Sequence, residues 1–421
     1  MRRPLVAVMY AQTALYSIFV LCMWLLQTTN RVMTVALGIV FAAFSITAVL
    51  THPTRSQDIY HSLTVCRTAL DRHSSPYLTT PADAPHDQWS RPVAAWRDRP
   101  FLYGPIWALV VSTAAYASSN LGEALIIVKV LCVIALAACG YFFWRIIKDL
   151  GYAPPRAQYL LSIFLFNPFL IQTSIVDAHN DVLVLLSILL SACYLLRKHF
   201  VLSALFLVVG GYIKYVPWFL LPIPIYCLWR VNGSKARWKI VGVVAAFIAL
   251  GALLFAPFVR MAQLSAVWRA LALIDTQNAP DEYLPGTAFL ILLLHVPAEI
   301  AKLIGVLIGA FAMFYALAKG RILLAYVLPL FAICFFGATF FQPWYFVWLL
   351  PFAALFLDPF EFALLTWFLV TTPEYYAPYY RALAVITAYT VAIATVGLYR
   401  RMNTPSTAQV VADRESGGDG R

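Results

Sequence analysis

The chain has 421 residues, of which 62% are hydrophobic and 12% charged, with a formal net charge of +11. Soluble domains hold about half apolar residues at most, and apolar runs of roughly 18 or more residues follow one another here, so the sequence reads as an all-α polytopic membrane protein. The runs do not alternate apolar with polar positions, which argues against a β-barrel, and the positive charge is assigned to cytoplasmic turns and anionic lipid rather than to nucleic acid.

The first spans are expected at Leu5–Gln27 and Val32–Leu50, with no cleavable signal peptide. A long polar segment, Arg55 to Pro105, follows. Two apolar runs come next, Tyr103–Ser118 and Glu123–Trp144, then a basic turn over Arg145–Arg156. Ala157–Val176 and Asp181–Leu196 read as a hairpin with Asp177-Ala178-His179-Asn180-Asp181 at its tip. Arg197-Lys198-His199 is a second basic turn. Val201–Trp229 is too long for one span and holds Lys214, Pro217, Pro222 and Pro224, so a hairpin or broken helix is expected.

A third basic turn, Arg230–Lys239, precedes a span at Ile240–Val259 and a mixed polar loop at Arg260–Gly286. Thr287–Val296 is short enough to be re-entrant. Glu299–Ala318, Leu323–Phe341, Phe346–Leu357, Phe360–Thr371 and Ala382–Tyr399 complete the apolar runs. Residues 1–400 are read as one transmembrane domain and 401–421 as a disordered cytoplasmic tail. With the basic turns inside, the tip at 177–181, the 260–286 loop and the Gln342–Tyr345 stretch fall outside. The Arg55–Leu102 loop is expected outside too, but two full crossings between Leu102 and Arg145 would put it on the inner side.

Several polar groups stand out against this background. Asp58, two residues before Tyr60, reads either as the N-cap of a helix over 59–70 or as a general base at the lip of an apolar cavity. His179, Asn180 and Asp181, with Asp177, could pin a sugar or a metal, or serve turn and cap chemistry. Lys214, inside an apolar run, is either a partner for a buried anion or a snorkelling side chain. Lys129, Glu299 and Lys302 are assigned to snorkelling. Trp89, Arg91, Trp96, Arg97 and Arg99 in the loop could meet an acidic headgroup or form a solvated basic face. The aromatic stretches around Gln342-Pro343-Trp344-Tyr345 and Glu374–Arg381 read as a membrane belt or as sugar-stacking surfaces. Six of seven cysteines lie in apolar runs as small hydrophobes. Cys66 is alone in the loop, and neither a disulfide framework nor a metal-spaced pair is present.

Taken in order, these motifs resemble a known family. Asp58-Ile59-Tyr60, Ser75-Pro76-Tyr77, Trp96-Arg97-Asp98 and Tyr103-Gly104-Pro105-Ile106 are similar to the first outer loop of bacterial mannosyltransferases that use polyprenyl-phosphate mannose. Asn167-Pro168-Phe169, Ala178-His179-Asn180-Asp181, Ile213-Lys214-Tyr215, Leu220-Leu221-Pro222 and Gln342-Pro343-Trp344-Tyr345 continue the match in the same order. The resemblance spans roughly Asp58 to Trp348 and implies a GT-C-like multi-span bundle in which residues 51–102 form an outer catalytic loop with juxtamembrane helices.

It further implies inverting transfer of a hexose, mannose first, from a polyprenyl-phosphate carrier to a glycolipid or glycan acceptor outside the membrane. Asp58 is the expected base, Lys214 the first choice for the leaving phosphate, and the loop arginines, Arg97 among them, the second. Tyr60, Tyr77, Tyr103, His179, Asn180, Asp181, Gln342, Trp344 and Tyr345 are expected around the substrate. No cofactor is implied, and no divalent metal is assumed. The competing expectation is a transporter or flippase of a lipid-linked sugar, with Lys214, Asp181 and His179 as intramembrane polar groups.

Overall fold

The structure is a computed structural model, which describes residues 2–26, 31–93, 96–259, 290–291, 294–334 and 343–375. Every long element among them is a helix and none is a strand. Four are long and apolar enough to cross a membrane: Arg31–Leu50, Leu121–Asp149, the run Val216–Phe255 and Ile300–Ala318. Helix α2 (Arg31–Leu50) shows why a bilayer is needed: Val32, Ile39, Ile46 and Leu50 all stand exposed. In water such a face would be an aggregation surface, whereas in lipid it costs nothing. The predicted polytopic all-α class therefore holds.

The chain divides into two compact units. One comprises residues 1–29, 146–169 and 278–421. In it α1 (Arg2–Leu26) lies against α15 (Pro359–Tyr375) and α6 (Pro154–Leu165), with Tyr10 tilted on Trp367 and Phe19 edge-on to Phe166. Asn167, fully buried after α6, donates through Nδ2 to Thr366 Oγ1 and accepts from the Phe169 amide. The same unit pairs α12 (Ala298–Ala318) with α13 (Ile322–Ala332) across the tight turn at Lys319-Gly320-Arg321, and closes with the short α14 (Leu350–Phe356).

The other unit, residues 30–145 and 170–277, carries the polar loop. The loop has its own core. Helix α3 (Asp58–Asp71) packs on α4 (Pro105–Tyr116), and its Ile59, Leu63, Cys66 and Ala69 form an i, i+4, i+7, i+10 stripe that is almost wholly buried. Helix α4 has 12 residues, about 18 Å at 1.5 Å per residue, too short for a hydrocarbon core of about 30 Å. Helix α5 (Leu121–Asp149), with 29 residues, is long enough to span it.

Two further expectations are corrected here, for Lys129 and for the cysteines, and the expected break in 201–229 is borne out. Lys129 does not snorkel: it is fully buried in α5, and its Nζ donates to the carbonyls of Ala48, at 3.4 Å, and Thr51. An ammonium at those last carbonyls of α2 answers the unpaired acceptors and the negative dipole end that every helix leaves there. The run 201–229 is broken into α9 (Phe200–Gly211), a turn at 212–215, a 3-10 segment at Val216–Leu220 and α10 (Pro222–Asn232). Cys66 is a buried packing residue of α3, and Cys22 is the exposed cysteine. The 260–286 loop and the 401–421 tail lie outside the described residues.

Candidate active site

Asp58 is the first residue of α3 rather than its cap. Gln57 holds the cap position without a side-chain bond, and the Asp58 amide donates to Ser56 Oγ at 3.1 Å. The carboxylate sits in the first helical turn, where the helix dipole favours negative charge, and is free of capping duty. Its Oδ2 instead accepts a hydrogen bond from Tyr103 Oη at 2.9 Å. With its side chain 21% exposed, Asp58 is the wettest member of the cluster described next.

The tip at 177–181 splits into a structural half and a facing half. Asp177 Oδ1 accepts from the amides of Thr54 and Arg55 at 2.9 and 3.2 Å, and its Oδ2 from Gln172 Nε2 at 3.1 Å. These bonds pin the segment that leads into α3. Ala178 then takes a left-handed φ of +52°, a conformation that costs a residue with a Cβ roughly 1 kcal/mol. The reversal turns the next residues away from Asp177. His179 Nδ1 comes to 3.8 Å from Asp58 Oδ2 and 3.9 Å from Asp181 Oδ2, an imidazole between two carboxylates. Asp181 starts α8 (Asp181–Leu196) and is completely buried.

Lys214 answers that burial. Its Nζ donates to Asp181 Oδ1 at 2.9 Å and Oδ2 at 3.1 Å, and stands 5.6 Å from the centre of the Tyr103 ring. A buried carboxylate is stable only with such a partner. Lys214 reaches it because α9 stops at Gly211 and the chain turns through 212–215. Trp218 locks that turn by donating from its indole Nε1 to Val208 O at 3.1 Å. The start of α4 docks on the same turn: the amides of Gly104 and Ile106 donate to Ile213 O and Tyr212 O at 2.9 and 3.0 Å, with Pro105 between them. A Cβ on Gly104 would collide with the Tyr212 carbonyl. Glycine at this close approach brings Tyr103 beside Lys214, and proline at the first helical position leaves no amide hydrogen unpaired.

A small cavity opens beside Asp58. Asp58, Ile59, Ser62, Tyr103, Trp107, Ala178, His179 and Asn180 line it, and its empty space, open mouth included, is about 160 Å3. The cavity therefore gathers the Asp-Ile-Tyr, Tyr-Gly-Pro and Ala-His-Asn-Asp segments, which lie far apart in the chain. Ser62 and Trp107 belong to it without being singled out by any motif. The one signal for Ser62 is its place four residues after Asp58 on the same helix face.

Other expected residues lie elsewhere. Tyr77 is fully buried, edge-on to Phe101 and Phe258, and donates to the Tyr103 carbonyl at 3.1 Å. It therefore braces Tyr103 rather than lining the cavity. Tyr60 is half-buried on α3, and burial together with the nearby Asp177 charge raises its phenol pKa. Arg97 is exposed, with its carbonyl taken by the Ala82 amide at 2.9 Å. Trp89 is buried beneath the Arg67 guanidinium, 5.5 Å from the ring centre.

Trp344 and Tyr345 are partly buried in the 3-10 segment Pro343–Trp348 of the other unit, with rings edge-to-face at 6.5 Å. Gln342 lies outside the described residues, as do the side chains of Glu299 and Glu374. No group of three or more His, Cys, Asp or Glu among the described residues is arranged to hold a metal ion.

Comparison with known families decides the class. Residues 2–230, more than half of the chain, match the family described as "Alpha-(1->6)-mannopyranosyltransferase, N-terminal domain". The chain belongs to this mannosyltransferase family. No curated protein matches it. The matched stretch contains Asp58, Tyr103, the 177–181 tip and Lys214, so the whole cluster lies within it. The mannosyltransferase is thus a glycosyltransferase embedded in a membrane, and between enzyme and transporter the enzyme stands.

Proposed function

We propose that this mannosyltransferase takes mannose from polyprenyl-phosphate mannose and transfers it, with inversion, to the 6-hydroxyl of a mannose unit in a lipid-linked or polymeric glycan on the outer face of the membrane. The observation that carries the reading is the Asp58 carboxylate, oriented by Tyr103 and lining an open cavity beside His179 and Asn180. A base needs access to the hydroxyl it deprotonates; Asp58 is 21% exposed at the cavity, which supports the reading, whereas Asp181 is fully buried and paired with Lys214. The family description supplies the α-(1→6) linkage. One inversion that ends in an α linkage starts from a β-linked donor.

The acceptor oxygen attacks the anomeric carbon as the bond from that carbon to the phosphate oxygen breaks. Asp58 takes the hydroxyl proton, and the electron pair leaves with the polyprenyl phosphate. Lys214 is the cation proposed to meet the developing phosphate charge, sharing its ammonium between the phosphate and Asp181. Asp181 holds Lys214 in place between turnovers. His179 and Tyr103 orient Asp58.

The test is transfer from radiolabelled polyprenyl-phosphate mannose by the purified full chain to mannoside acceptors. The expected product carries label in an α linkage at O6. No transfer from this donor to any mannoside acceptor contradicts the reading.

A further inference from the structure

We infer that Ser62 and Asn180 form a subsite for the hydroxymethyl arm of the acceptor sugar and so direct transfer to its primary hydroxyl. The inference rests on the function proposed above and names a specificity device within it. Ser62 is 1% exposed and Asn180 2% exposed. Ser62 Oγ and both polar atoms of the Asn180 side chain have no hydrogen-bond partner among the described residues. Each such buried atom costs on the order of 1–3 kcal/mol when left unpaired, so three at one place point to a polar occupant. Both residues line the cavity that Asp58 lines. Ser62 lies one helical turn beyond Asp58 on α3, on the same face.

The shape selects the occupant. The cavity is narrow, with room for a group little larger than one water molecule among its lining residues, and it has an open mouth. A primary alcohol extends one carbon beyond a sugar ring and enters such a space. A secondary hydroxyl would have to bring the ring with it. In the subsite Ser62 Oγ donates to one lone pair of O6, leaving the other for the anomeric carbon; the O6 hydroxyl donates to Asp58, and the Asn180 amide donates to and accepts from the polar groups of the sugar beside the arm. The O6 proton is then within the reach of Asp58.

The experiment compares α-(1→6)-mannobiose with its analogue lacking the terminal 6-hydroxyl, by calorimetric titration of the full chain without donor and, with donor present, by the KM of the mannobiose, the inhibition constant of the deoxy analogue and the donor KM. The wild type should prefer the hydroxylated sugar by about tenfold, the range set by one or two hydrogen bonds. In Ser62→Ala the preference should fall to about threefold or less, with donor KM unchanged. Ser62→Val, which fills the space with carbon, should weaken binding of the hydroxylated sugar and spare the deoxy analogue. An unchanged preference in Ser62→Ala overturns the inference, as does a rise in donor KM alone, which would give the pair to the donor sugar. A wild type that shows the preference but transfers nothing defeats the proposed donor and leaves the subsite standing. One that transfers to O6 while Ser62→Ala keeps its full preference defeats the subsite alone.

Discussion

Tyr103 Oη donates to Asp58 Oδ2 at 2.9 Å, and the Tyr103 carbonyl in turn accepts from Tyr77 Oη at 3.1 Å. The relay runs from the buried core of the loop to the one carboxylate that the cavity exposes. It gives Asp58 a fixed orientation without taking its second oxygen. Tyr103→Phe keeps the ring beneath Lys214 and removes only the hydroxyl. A hydrogen bond to a charged group contributes about 1.5–3 kcal/mol, so kcat should fall roughly tenfold to a hundredfold while the thermal midpoint barely moves. Steady-state kinetics on the purified variant checks this, and wild-type kcat would remove Tyr103 from the relay.

Gly104 makes a different kind of claim. The obstacle to a Cβ there is the Tyr212 carbonyl, which belongs to backbone and cannot swing aside. Gly104→Ala should push α4 away from the 212–215 turn and part Tyr103 from Lys214. Overpacking of this sort costs about 1–3 kcal/mol, so the variant should lose both thermal stability and activity. Thermal unfolding together with transfer rate reads the two. Loss of neither would mean that the approach of the two segments is not needed.

His61 ties the loop's far end to α3, with Nε2 at 2.9 Å from the Arg99 carbonyl. Burial lowers its pKa below the usual 6.5, against the opposing pull of the Arg99 carbonyl and the Asp58 charge. The neutral form therefore belongs to the folded loop. A depressed folded pKa gives stability that is complete above about pH 6.5 and is lost as pH falls through the lower folded value. The thermal midpoint should drop as pH falls below about 6.5, and His61→Gln, which keeps an N–H donor, should flatten that drop. An equally steep decline in His61→Gln would assign it to other groups.

Much of this arrangement is legible in the residues. Apolar runs locate the spans, and the order of short motifs from Asp58 to Lys214 points to one enzyme family; three of those motifs, at Asp58, Tyr103 and His179, meet at one cavity. What escapes the sequence is pairing across distance. Lys214 reads as inside an apolar run, and only the fold shows it 33 residues away from its partner Asp181. Lys129 reads as a span-end lysine because nothing local reveals that α2 ends beside it. Tyr77 reads as a substrate contact and Trp89 as part of the loop's surface, yet the segment builds a core of its own and buries both. A serine on a helix carries no motif, so Ser62 emerges only from the cavity it lines.

The central claim is that the Asp58 carboxylate removes the acceptor proton. Asp58→Asn is close to isosteric and retains an oxygen that can accept from Tyr103, so the loop should keep its fold and the chain its thermal midpoint. The account predicts loss of transfer from polyprenyl-phosphate mannose by about a hundredfold or more, within the range of general-base catalysis, with donor binding preserved. Transfer at near wild-type rate by a correctly folded Asp58→Asn enzyme would contradict it.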